Sequence, residues 1–194
     1  MIFEVLGIIE LDSIADGYIA LDAVIKAAPV SVFKAEILNP GKFIIFLTGE
    51  VASVEFSMDA GIEAAGESVL DHVLLKNLSS QVVPVINVNQ SDAGFEKAET
   101  AANLDALGII ETYTLASAID AADRSAKAAS IRVRSIVSGN ETGGKGVTTI
   151  SGKIGDIEYA MESVVDYLTA RNQLYRKVVI PGPPPELKGF LCGN

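Results

Sequence analysis

The sequence predicts an α+β fold built twice: two tandem β-α-β-β-α-β units, ferredoxin-like, each a four-stranded antiparallel sheet with two helices on one face. Three observations predict it. A segment of the chain repeats in order, and both copies carry the same series of apolar runs and helical stripes. The composition is also that of a packed core. Of 194 residues, 49% are hydrophobic and 21% charged, which is globular and sufficient for two cores of roughly 100 residues each.

The repeat is read first, because a missed repeat misreads the fold. Leu6-Gly7-Ile8-Ile9-Glu10 returns as Leu107-Gly108-Ile109-Ile110-Glu111, at an offset of 101. From 6 to 28 the copies agree at 11 of 23 positions, ending in Lys26-Ala27-Ala28 against Lys127-Ala128-Ala129. Further on the offset is 103. Gly41-Lys42 matches Gly144-Lys145, Gly49 matches Gly152, Glu55 matches Glu158, and Met58 matches Met161. The second copy therefore has two extra residues just before Gly144. The division is 1–90 for the first domain, 91–104 for the linker and 105–194 for the second domain. Asn87 to Gly94 is polar and turn-rich, as a linker is. Phe95 to Ala102 reads as a short helix.

Within the first copy, Leu6 to Leu11 is a short apolar run that reads as a buried strand. Asp12 or Ser13 caps a helix whose apolar stripe is Ile14, Tyr18, Leu21, Ile25 and Ala28. Pro29 ends it. Val30 to Leu38 reads as a second strand, Asn39-Pro40-Gly41 as a turn, and Phe43 to Leu47 as a third strand. Val51, Val54, Met58, Ile62 and Ala65 mark a second helix, and Val69 to Leu78 a fourth strand. The second copy repeats the order. Its strands fall near 107–112, 131–137, 146–151 and 174–180, and its helices near 114–129 and 153–170. The strand order is that of the split βαβ arrangement.

Charge and composition exclude several functions. A net charge of −10 opposes nucleic acid and anionic membranes, which need clustered Lys and Arg. No run of 18 apolar residues exists to span a bilayer. The N-terminus lacks the basic region of a secretion signal, so a cytoplasmic protein is expected. A single cysteine, Cys192, and a single histidine, His72, rule out a disulfide framework or a multi-ligand metal site within one chain.

The ordered set is more specific than any part of it. Leu-Gly-Ile-Ile-Glu, an alanine-rich helix ending Lys-Ala-Ala, Pro-Gly-Lys before an apolar strand, and the closing Val179-Ile180-Pro181-Gly182-Pro183 together resemble the bacterial microcompartment (BMC) domain. Two non-permuted copies in one chain resemble the family's tandem-domain, trimeric, propanediol-utilisation T type. The resemblance implies a structural shell protein. Its homotrimers would be pseudohexamers that tile with other shell proteins into facets and offer a central pore to small metabolites. It implies a location in the microcompartment shell in the bacterial cytoplasm, and no enzymatic activity.

The resemblance also assigns sites. Asn39, Pro40 and Gly41 would line the pore. In the second copy the longer loop Asn140, Glu141, Thr142 and Gly143 would line it, so the opening has threefold character. Lys26 and Lys127 would lie at the disc edge. They also suit a helix C-terminus in any fold. Two departures stand out. The position of Asn39 is a cysteine that helps hold an iron-sulfur cluster in the T type, and an amide replaces a thiolate poorly, so no cofactor is expected. Gly182 stands where an arginine often contributes to the edge, so tiling is expected to be weaker or of different geometry.

Other motifs have simpler readings. Gly139, Gly144 and Lys145 have P-loop spacing, but Gly146 replaces the magnesium-holding Ser or Thr and a strand follows instead of a helix. Glu10 and Glu111 repeat in position, which fits packing or hydrogen bonding better than duplicate catalysis. His72 has no nucleophile motif beside it. Asn77-Leu78-Ser79 matches a glycosylation acceptor without a secretion signal. The alternative function is a duplicated metabolite-binding regulatory module, since such domains bind ligands between copies.

Overall fold

A computed structural model describes residues 5–87, 105–137 and 142–190. The first half runs β1 (Val5–Leu11), α1 (Ile14–Ala27), β2 (Ser31–Leu38), β3 (Lys42–Thr48), α2 (Val51–Ala65), β4 (Val69–Lys76) and α3 (Val82–Asn87). The second runs β5 (Ala106–Thr112), α4 (Leu115–Ala128), β6 (Arg132–Val137), β7 (Gly146–Gly152), α5 (Ile154–Ala170) and β8 (Leu174–Pro181). The sheets have the orders β2-β3-β1-β4 and β6-β7-β5-β8, every pairing antiparallel. The predicted fold is the observed one.

The two halves keep one register. Glu10 pairs with Asp71 and Ile8 with Val73, as Glu111 pairs with Arg176 and Ile109 with Val178. These pairs make Arg176 the counterpart of Asp71 and Val178 the counterpart of Val73. Alternate residues of a strand face opposite sides. Val5, Ile9 and Leu11 therefore point at α1 and α2, and they join Phe43, Ile45, Leu47, Val54 and Met58 in one core. Leu6, Ile8, Val73 and Leu75 point the other way.

Two expectations need correction. The fully buried face of α1 is Gly17, Ala20 and Val24; of the predicted stripe, Ile14 and Leu21 pack partly buried against the same core. Tyr18 and Ile25 are each 58% exposed. Small residues win because the helix lies so close to its neighbours: a Cβ on Gly17 would sit 2.5 Å from the Phe43 ring, and one on Gly61 of α2 would sit 2.6 Å from Val24. Tyr18 and Ile25 lie off that close-packed face and turn outward. The fourth strand also ends at Lys76, where Asn77 takes a positive φ of 54°. The short helix α3 then follows. It was not foreseen, because six residues containing Pro84 carry little helical periodicity. The expected helix at 95–102 lies outside the described residues.

Candidate functional site: the junction between the halves

The outer face of the first sheet is not open. Leu6, Ile8, Val73 and Leu75 share one apolar cluster with Ala116, Ile119 and Ala122 of α4. On its other side α4 packs on β7 and β5 of its own half. The helix is buried almost all round: Ala116 through Asp123 are each at most 2% exposed. Its alanines permit that closeness.

A ring of polar contacts seals the junction. Glu10, fully buried, accepts the Ala116 N–H at the start of α4 over 2.9 Å and pairs with Lys42 Nζ at 2.9 Å. A helix N-terminus favours an anion. Burial pushes the Glu10 carboxyl above its ordinary value of 4.5, while the Lys42 ammonium and the Ala116 N–H draw it back. Lys42 Nζ also donates to the Tyr113 carbonyl at 3.0 Å and the Gly144 carbonyl at 2.7 Å, both in the second half.

Asp71, 4% exposed, accepts from four donors. They are its neighbour's His72 N–H, the hydroxyls of Thr114 and Ser117, and Arg171 Nη2 at 2.7 Å. A buried carboxylate with its lone pairs used in this way is a stable element, and removing it would leave the Thr114 and Ser117 hydroxyls without this acceptor and Arg171 without its ion pair. Farther along, Asp123 accepts the Ser79 N–H at 2.7 Å, and Gln81 bridges Ile131 O and Val133 N at 3.0 Å each.

The contact is head to tail. Were it twofold, Glu111 would accept from α1 as Glu10 does from α4. Instead Glu111 makes no hydrogen bond or ion pair among the described residues, and the start of α1 is bound only to its own half through Ser13, Asp16 and Ser68.

Of the predicted pore residues, Asn39, Pro40 and Gly41 form the turn between β2 and β3. The Asn39–Pro40 bond is cis, and Gly41 takes φ 117°. Thr142 and Gly143 form the corresponding turn before β7, with Gly143 at φ 61° and Gly144 at φ 81°. Asn140 and Glu141 lie outside the described residues. The structure brings the two turns together: a Cβ on Gly144 would sit 2.8 Å from Pro40 Cδ and 3.3 Å from Asn39 O. Gly144-Lys145 leads into strand β7 rather than a helix, so no phosphate-binding helix start exists there.

The predicted edge lysines are placed differently. Lys127 donates to Lys76 O of the first half at 3.0 Å and pairs with Asp123 at 2.5 Å. Among the described residues Lys26 pairs only with Asp22, at 2.6 Å, and its side chain is 72% exposed. Asp71, Lys42 and Arg171 were missed as functional residues. The available signal was in the repeat itself, where β4 and β8 carry opposite charges at matching positions. An iron-sulfur cluster does not fit residue 39, which offers an exposed amide where thiolates are needed. Cys192 lies outside the described residues, and no group of three His, Cys, Asp or Glu among them could hold a metal.

The family model of the BMC domain matches residues 5–78 and again 106–183. The chain belongs to the BMC-domain family. It is 32% identical over 181 residues to the bacterial microcompartment shell protein PduT of Citrobacter freundii, covering 93% of each chain. A solved microcompartment protein from Desulfitobacterium hafniense is 38% identical, with a TM-score of 0.72, over 96% of this chain and 99% of that one. The fused permuted hexameric shell protein of the RMM microcompartment matches with a TM-score of 0.61 over 86% and 84% of the two chains, at 22% identity, and so shares the fold. With two such domains in tandem, the chain is a structural shell component.

Proposed function

We propose that three copies of this chain close into a ring of six domains, a pseudohexameric disc that tiles with other shell proteins through Lys26 and Lys127. The units are 1–90 and 105–194, joined by 91–104. The head-to-tail junction carries this reading. Two homologous domains joined that way leave one unused face at each end, and the contact repeats until it closes. The meeting of the Asn39–Gly41 and Thr142–Gly143 turns at one end of the junction supports a pore there, with Asn140 and Glu141 in the longer loop. Three Asn39 amides would give a polar, uncharged lining suited to small polar metabolites. The disc acts as a barrier in the bacterial cytoplasm, without enzymatic activity and without a resident cofactor. No described helix is long and apolar enough to cross a membrane.

Sedimentation equilibrium and electron microscopy test this. The expected species is three chains of 20.4 kDa, forming sheets or curved layers at high concentration. A monomer or dimer that is stabilised by an amino acid or nucleotide would instead establish the regulatory module.

A further inference from the structure

Superposing the repeat on itself shows what each half leaves unmatched. The first half's outer sheet face is covered by α4. The second half's outer face carries Ile109, Glu111, Arg176 and Val178, and Val178 is 42% exposed where its counterpart Val73 is 4%. On the other side, α1 bares Tyr18 at 58% and Ile19 at 54%, where their counterparts Ile119 and Asp120 in α4 are each 1% exposed. One open sheet face and one open helix face match the two surfaces already joined inside the chain.

Their charges are reversed. Inside the chain, the carboxylate Asp71 on the sheet meets Thr114, Ser117 and the cation Arg171. At the matching sheet position the second half carries Arg176. At the matching helix position, Ser117 is replaced by Asp16. The turn that corresponds to 171–173 is Gly66–Ser68, which carries Glu67 and no cation. The backbone bonds fix that correspondence: Asp12 N donates to Ser68 O as Tyr113 N donates to Gln173 O. Asp16 is held as an anion, its pKa lowered by the hydroxyls of Ser68 and Ser13.

We infer that Arg176 of one copy pairs with Asp16 and Glu67 of the next, a salt-bridged junction of polarity opposite to the one inside the chain, and that this reversal keeps the junction between chains from exchanging with the one inside them. Glu111 takes the Ala15 N–H of the next copy as Glu10 takes that of Ala116. The faces of the junction inside the chain are already occupied, so other pairings arise only if that junction opens, and they are then penalised. First half on first half brings Asp71 against Asp16 and Glu67 with no cation. Second half on second half brings Arg176 against Arg171. Like charges at a desolvated contact oppose association strongly.

This inference rests on the proposed ring, and the test separates the two. Arg176 is exposed and makes no hydrogen bond or ion pair within the described chain, so Arg176→Glu should leave the circular dichroism spectrum and unfolding midpoint of the dilute chain unchanged. It should weaken trimer formation on the order of 100-fold by sedimentation equilibrium. Arg176→Glu combined with Asp16→Lys should restore at least a tenth of the wild-type association constant, and Arg176→Glu with Glu67→Lys provides the same rescue should Asp16→Lys unfold the cap of α1. A wild-type trimer whose association is unmoved by Arg176→Glu would overturn the reversed junction while leaving the ring intact. So would weakening that neither second substitution rescues. A wild-type chain that forms no trimer would overturn the ring itself, and this junction with it.

Discussion

Helices α1 and α4 occupy the same place in two copies of one domain, yet one is bare on a side and the other is enclosed. Both are 14 residues long, both are capped by a hydroxyl, and both end in Lys-Ala. Of the Ile119/Tyr18 pair, one residue is 1% exposed and the other 58%. The difference is not in the domain fold. It comes from what the rest of the chain supplies, since only α4 has a second sheet to lie against. Duplication in one chain thus completes one junction and leaves its two halves available at the ends.

The comparison can be broken most sharply at the buried carboxylate. Asp71→Ala should destabilise the dilute chain by about 2–4 kcal/mol in urea unfolding, because Thr114, Ser117 and Arg171 lose their shared acceptor in the junction. Arg176→Ala at the matching position should change it by less than about 0.5 kcal/mol. Equal effects would mean that the second half's outer face is already covered within the chain.

The apolar contact is next. Ile119→Ala should cost about 2–4 kcal/mol through lost burial and the cavity left behind. Tyr18→Ala should cost about 1 kcal/mol or less, since Tyr18 touches Phe43 only on one side, with ring centroids 5.1 Å apart. In the trimer the order should tighten, with Tyr18→Ala weakening association although it scarcely changes unfolding of the single copy.

Smaller again is the lysine pair. Lys127→Ala removes a bond to Lys76 O and the ion pair with the buried Asp123, and should cost about 1–2 kcal/mol. Lys26→Ala should not move the unfolding midpoint, because its only partner is the exposed Asp22. The smallest effect is in the pH profile. Glu10 binds its proton more tightly folded than unfolded, so between its ordinary 4.5 and the raised folded value the native state holds more protons. Its contribution is fully present below that window and is lost as pH rises through it. Glu10→Gln should flatten that slope, read as unfolding midpoints across pH 4 to 7.

The repeat and the strand order were legible because a period of two in the strands and a period near four in the helices survive divergence. Burial on a particular helix face was not. In α1 the large residues Tyr18 and Ile25 suggested the core side, but the core took Gly17, Ala20 and Val24, whose small size admits Phe43 and α2. A sequence records which residues are apolar, not which surface they face when a second one is waiting. The turns at the junction were legible, and the polar contacts that seal it were not. Asn39, Pro40, Gly41 and Gly143 do form the turns expected of them. Asp71 carried no mark in the sequence, because its meaning lies in three donors from 43 to 100 residues away and in the neighbouring His72 N–H. The signal lies where the copies differ: Asp71 stands opposite Glu10 as Arg176 stands opposite Glu111.

Hydroxyl-radical footprinting of the wild-type chain at concentrations above and below trimer formation tests the central claim most directly. Ile119 and Val73 should be protected in both states. Tyr18, Ile19 and Val178 should react freely in the dilute chain and become protected as the trimer forms. Trimers in which Tyr18 and Val178 react as fast as they do in the single copy would show that the chains join through other surfaces, and that the junction inside the chain is not the one repeated between chains.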